Sequence, residues 1–157
     1  DFRYYKQFTE RFSISSRTYF KVGLLRNQLN FFQKRILGYD DQYIRGYEYY
    51  VIDGLDAILV KNDLRFKVFD LTINWGRLVW LDAYKKMATQ VFLAPFVDLG
   101  IANDPWAPQS NDFNGRLLPG YGLGLNFRFY YDKVFRVEWS RNVLGEAGIY
   151  LHWDLRV

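Results

Sequence analysis

The sequence of 157 residues predicts an all-β chain, an antiparallel meander of about seven strands. Apolar and polar residues alternate along successive stretches, as they must where a strand turns neighbouring side chains to opposite faces. Aromatic residues make up 20% of the chain, which suits strands far better than helices. No run of about 18 apolar residues occurs, so no membrane-crossing helix is expected.

The elements follow in chain order. A partial strand opens the chain over residues 2–8. Residues 13–24 set Ile14, Thr18, Phe20, Val22 and Leu24 against Ser15, Arg17, Tyr19 and Lys21. Residues 25–56, rich in Tyr, Gly and Asp, are too long for a tight turn and read as a loop. Residues 57–68 set Ile58, Val60, Leu64, Phe66 and Val68 against Lys61, Asp63, Arg65 and Lys67. Residues 69–87, with Trp75, Trp80 and Tyr84, read as a second long connection with a short helix over 81–87. Residues 88–101 place Val91, Leu93, Val97 and Leu99 opposite Phe92, Ala94, Phe96 and Asp98. A third loop, 102–117, carries Asn103-Asp104-Pro105 and Pro108. Tyr121, Leu123, Leu125, Phe127 and Phe129 then alternate with Gly122, Gly124, Asn126 and Arg128, and the short connection Tyr131-Asp132-Lys133 follows. Phe135, Val137 and Trp139 alternate with Arg136, Glu138 and Ser140. After a turn from Asn142 to Gly148, the last strand sets Ile149, Leu151, Trp153, Leu155 and Val157 against Tyr150, His152, Asp154 and Arg156.

Alternation alone fits a soluble β-sandwich, whose apolar face is a core, and also a transmembrane β-barrel, whose apolar face meets lipid. Three details favour the barrel. Strands of about nine to thirteen residues match a tilted crossing of the hydrocarbon layer. Short and long connections alternate, except at 69–87. Aromatics sit near strand ends at Tyr130, Tyr131 and Trp139. About seven strands do not close a barrel, and an open edge in lipid costs several kcal/mol for each stranded backbone group. The remaining strands are therefore expected from upstream sequence or another chain. The opening Asp1-Phe2-Arg3-Tyr4-Tyr5, with no initiator methionine or export signal, makes the chain read as a fragment.

Several chemistries are set aside. The net charge of +4 comes from cations spread singly, so nucleic acid is not an expected partner. With no cysteine there is neither a disulfide framework nor a thiolate metal site. His152 is the single histidine, which excludes multi-histidine metal sites and leaves one candidate base for a Ser/His/Asp triad; it reads as a polar interior residue. Gly120, Gly122 and Gly124 alternate within a strand and lack a following helix or Lys-Ser/Thr, so they mark a tight bend or close backbone approach rather than a phosphate loop. Asp40-Asp41 reads as polar loop rather than a calcium site. No catalytic constellation is found, and no metal or cofactor is expected.

The long loop contains Tyr43-Ile44-Arg45-Gly46-Tyr47. Asn62-Asp63-Leu64-Arg65-Phe66 follows on a strand, then Phe96-Val97-Asp98-Leu99-Gly100, then Gly120-Tyr121-Gly122-Leu123-Gly124-Leu125, then a terminal strand. From about Phe2 to Val157 this series resembles the C-terminal half of the BamA/TamA superfamily, the bacterial surface antigen family. The resemblance implies a barrel of about sixteen strands in the outer membrane of a Gram-negative bacterium, with residues 1–157 supplying about the last seven. It implies that loop 25–56 is external and folds into the lumen, where Arg45, Gly46 and Tyr47 lock against Asp63 and Asp98. Parity independently puts both carboxylates on the inward face. The implied function is insertion and folding of outer-membrane proteins at a lateral seam, formed by Gly148, Ile149, Tyr150, Leu151, His152, Trp153, Asp154, Leu155, Arg156 and Val157. Implied partners are outer-membrane lipid, the remaining barrel strands, unfolded outer-membrane proteins and accessory lipoproteins. A polypeptide secretion pore of the same superfamily and a passive diffusion porin are the alternatives. The sequence departs from the family's pattern at Asp63, where Glu is frequent, and at Val157, where the family usually ends in Phe.

Charge adds an expectation of its own. By parity the inward positions carry Arg3, Arg17, Lys21, Lys61, Arg65, Lys67, Arg128, Arg136 and Arg156, against Asp63, Asp98, Glu138 and Asp154. Residues 37–56 carry Asp40, Asp41, Glu48, Asp53 and Asp56 against Arg45. Overall charge should draw the acidic loop toward the basic wall, weakly enough for salt to loosen it, while Arg45 sets its register.

Overall fold

The computed structural model describes residues 1–24, 34–39, 41–74, 86–106, 112–129 and 133–154. Its named elements are β1 (Phe2–Gln7), β2 (Phe12–Lys21), β3 (Arg35–Leu37), β4 (Ile52–Asp53), β5 (Asp56–Asn74), β6 (Lys86–Asn103), β7 (Leu118–Arg128), β8 (Val134–Asn142) and β9 (Ala147–Asp154). Seven of them form one antiparallel sheet in the order β1-β2-β5-β6-β7-β8-β9; β3 and β4 make a small ribbon beside it. The sheet is not closed: β1 and β9 are its two edges.

The expected strands are present, with altered ends. Residues 69–74, read as the start of a connection, continue β5, and Lys86 and Met87, read as helix, begin β6. The reason lies at Val68. Lys67 pairs with Phe92 and Phe69 with Val91, so Val68 is an extra residue in a β-bulge. Alternation therefore changes phase, and Val68 and Phe69 are both exposed on the apolar side. Within loop 25–56 the ribbon β3-β4 was not anticipated, and Asp56 already belongs to β5. Ala102 and Asn103, read as loop, end β6. Asp40, Trp75, Trp80, Tyr84, Pro108, Tyr130, Tyr131, Asp132, Leu155, Arg156 and Val157 lie outside the described residues, as does most of the helix expected over 81–87.

Register aligns rows of residues across the polar face. One row runs Arg17, Lys61, Asp98, Gly120 and Asn142; the next runs Ser15, Asp63, Phe96, Gly122, Ser140 and Gly148. The opposite face exposes Phe20, Ile58, Leu64, Val97, Tyr121, Leu123, Leu125, Trp139, Ile149, Leu151 and Trp153. Side chains of this size left outside a core are a large apolar surface in need of a cover.

The buried apolar cluster lies on the other side of the sheet, at the end where β5 starts and β6 stops. Ile36, Leu37, Ile44, Tyr47 and Ile52 from the long loop pack there on Ala57, Leu59, Ala102 and Leu118, flanked by Tyr19, Tyr50 and Phe113. The loop thus covers part of the polar face by means of an apolar contact, which alternation within the strands does not foretell.

Candidate functional site

The loop turns sharply at its arginine. Tyr47 N–H donates to Ile44 O at 2.9 Å, with Arg45 and Gly46 between them. Gly46 sits at φ +95°, and a Cβ there would come within 3.2 Å of the Arg141 backbone. A side chain would therefore be both strained and crowded. Asn142 Nδ2 donates to Gly46 O at 2.9 Å, which ties the turn to the end of β8. Gly120 makes room from below, because a Cβ at that position would run into the Arg45 carbonyl. Of the two readings of the alternating glycines, a tight bend or close backbone approach, Gly120 shows the second.

Arg45 is 2% exposed. Its Nε donates to Asp98 Oδ2 at 2.8 Å and its Nη2 to Asp98 Oδ1 at 2.5 Å, a two-pronged grip on one carboxylate. Nη1 donates to Asp63 Oδ1 at 2.6 Å and lies 3.5 Å from Glu138 Oε1. The Arg45 backbone N–H adds a bond to Asp98 Oδ2 at 3.1 Å. Beneath the guanidinium lies the Phe96 ring, 3.8 Å from Cζ to the centroid, a cation–π stack that lysine would not reproduce flat. Burial lowers the pKa of a guanidinium, but the bond and charge of Asp98, with the charges of Asp63 and Glu138, outweigh it and leave Arg45 more basic than usual.

Three carboxylates around one guanidinium would leave excess negative charge. Lys61 is the cross-strand partner of Asp98, and Arg136 Nη1 stands 3.6 Å from Glu138 Oε1. Lys61 and Arg136 thus add positive charge to that of Arg45 beside Asp63, Asp98 and Glu138. Ser15 Oγ also donates to Asp63 Oδ2 at 3.2 Å. Such a set holds together as a unit, since any single buried charge left behind would be costly.

The rest of the motif is held by packing and by hydroxyls. Tyr47 is buried, edge-on to Tyr50 and Phe113, and its hydroxyl donates to Pro119 O at 3.4 Å. Glu48 turns back so that Gly46 N–H donates to its Oε2 at 2.8 Å, while its Oε1 is buried with no hydrogen-bond partner among the described residues. Burial pushes the Glu48 carboxyl up to about 7, against the opposing pull of its backbone hydrogen bonds. Cations of the wall meet loop carbonyls as well: Arg17 Nη1 donates to Asp41 O and Lys21 Nζ to Arg35 O. Among the loop carboxylates, Asp53 accepts from Tyr39 Oη and Asp56 from Gly23 N. Two of the acidic residues expected to meet the wall thus accept hydrogen bonds from a loop tyrosine and from the backbone that follows β2.

The structure therefore brings Arg45, Gly46, Tyr47, Asp63 and Asp98 to one place. Glu138 and Phe96 join them; parity gave both the inward face, but only the register between strands shows that they reach Arg45. Of the proposed seam residues, Gly148 to Asp154 lie in β9, whose one neighbour in the sheet is β8. Ile149, Leu151 and Trp153 are exposed on the apolar face, and Gly148, Tyr150 and His152 share the polar face with the loop. Tyr43 and His152, missed as a pair, stack with ring centroids 5.3 Å apart. Compared with protein-family models, curated proteins and solved structures, the chain shows no match.

Proposed function

We propose that the sheet is the C-terminal part of a transmembrane barrel of the BamA/TamA kind, set in a Gram-negative outer membrane, which inserts and folds other outer-membrane proteins. The observation that carries this is the captive arginine: a long loop lies on the polar face of a meander whose other face is broadly apolar, and its Arg-Gly-Tyr turn is pinned to carboxylates of separate strands. In this reading the apolar face meets lipid, the polar face is the lumen and the loop is external. The edge of β9 offers unsatisfied backbone groups with which an incoming strand can pair before its own barrel closes. Lipid, the remaining barrel strands, unfolded client barrels and accessory lipoproteins are the partners of this activity.

The test is a disulfide joining β9 to the first strand of the full-length barrel. Locking the seam should stop assembly of client barrels, and reduction should restore it. Normal assembly by the locked form would overturn the mechanism. A secretion pore is the second reading, since a loop held in a lumen would also suit a passage that opens for one polypeptide.

A further inference from the structure

The loop is attached to the terminal strand as well as to the interior strands. Tyr43 hydroxyl and His152 Nδ1 are 3.4 Å apart, and the two rings stack. On its other side, His152 Nε2 lies 3.4 Å from Glu138 Oε2, while Glu138 Oε1 faces Arg45. Glu138 is 2% exposed, and its Oε2 has no aligned hydrogen bond among the described residues. One buried carboxylate therefore stands between the arginine and the edge strand. Further along, the Tyr49 and Tyr150 ring centroids are 5.6 Å apart, and Tyr50 Oη donates to Glu146, in the β8–β9 turn, at 2.8 Å. Lys61 Nζ sits 3.8 Å over the Tyr43 ring, which ties the same tyrosine back to β5.

We infer that the loop is a clamp on β9, in which Glu138, His152 and Tyr43 act as positioning residues that make the freedom of the terminal strand depend on whether Arg45 is seated. The physical ground is asymmetric support. An interior strand is held by ladders on both edges, whereas β9 pairs with β8 on one edge and, in the proposed barrel, presents its other edge to the weak seam. The contacts of its polar-face residues with the loop thus add to the ladder with β8. Unseating Arg45 withdraws Tyr43 from His152 and leaves Glu138, on β8, without the cation that faces its Oε1, so β9 loses its contact with the loop at His152 and the carboxylate beside it loses its anchor. This deepens the proposed function, on which it rests for its meaning: the clamp governs when the pairing edge can bend away and accept a strand.

The experiment measures backbone hydrogen exchange in the full-length protein in lipid nanodiscs, with trypsin cleavage reporting on the loop. Arg45→Ala should expose the loop and speed exchange over residues 147–154 about tenfold, with β7 unchanged. His152→Ala should do the same to β9. Tyr43→Phe, which keeps the ring stack and removes the hydroxyl, should give a smaller effect in the same direction. The double variant Arg45→Ala/His152→Ala should exceed the larger single effect little, because both break one connection. Loop cleavage with β9 exchange unaltered, or fully additive effects, would overturn the clamp. Should Arg45→Ala prove too unstable to isolate, His152→Ala and Tyr43→Phe decide the matter by the same measure. Client-barrel assembly, assayed in parallel, separates the two ideas. Faster β9 exchange in a protein with no assembly activity would leave the clamp standing and sink the function; unchanged exchange with active assembly would do the reverse.

Discussion

At Arg45 charge and shape act together. The guanidinium spans two carboxylates with fixed prongs and sits over the Phe96 ring. Lysine carries the charge but has neither the fork nor the plane. Arg45→Lys should therefore release the loop nearly as far as Arg45→Ala, each costing the docked state about 3–5 kcal/mol, the range for breaking a buried ion pair. Limited proteolysis of residues 25–56 checks this; a lysine variant as protected as the parent would refute it. Glu48 makes the docked loop sensitive to pH. Its carboxyl is pushed up to about 7 by burial, from an ordinary 4.5, so the docked state holds the proton more tightly than the released one. Docking is then favoured below the ordinary pKa, weakens as pH rises between the two values and is weakest above the higher one. Trypsin cleavage of the loop should increase from pH 5 to pH 8, and Glu48→Gln should flatten that rise. A rise of the same size in Glu48→Gln would assign the effect to another group.

At the scale of elements, the bulge in β5 carries the clearest lesson. Period-two alternation made the faces of the strands readable, and it placed Asp63, Asp98 and Glu138 on one side. At Val68-Phe69 the phase slips, and a strand continuing beyond that point looks like the start of a loop. β3 and β4, with three and two residues, are too short to show any period. The loop's packing was hidden for another reason: Ile36, Leu37, Ile44 and Ile52 lie in no continuous run of alternation, and their burial depends on meeting Leu59 and Leu118. The roles of Glu138 and His152 were out of reach because they follow from register across β7, β8 and β9, which one strand's composition does not encode. The bulge also makes a prediction. Deleting Val68 removes the extra residue and joins the two phases, so the folded, protease-resistant fraction should remain close to the parent's. Deleting Asn62, in the regular part of β5, moves one flank of the strand out of register with its neighbours and should abolish folding. Equal loss in both deletions would argue against this account.

For the molecule as a whole, two features of the sheet oppose each other. The apolar face and the two edges are open, whereas the polar face is filled at one end by the chain's own loop. In the proposed setting, lipid covers the first and further strands complete the second. The arginine cluster needs neither. Its carboxylates lie 18, 53 and 93 residues along the chain from Arg45, all within this sequence. That has a consequence for the chronology of biogenesis: the loop can be seated while the two ends of the wall are still apart. In the proposed barrel, closure would then happen around an interior already furnished, and no finished ring would have to be threaded afterwards.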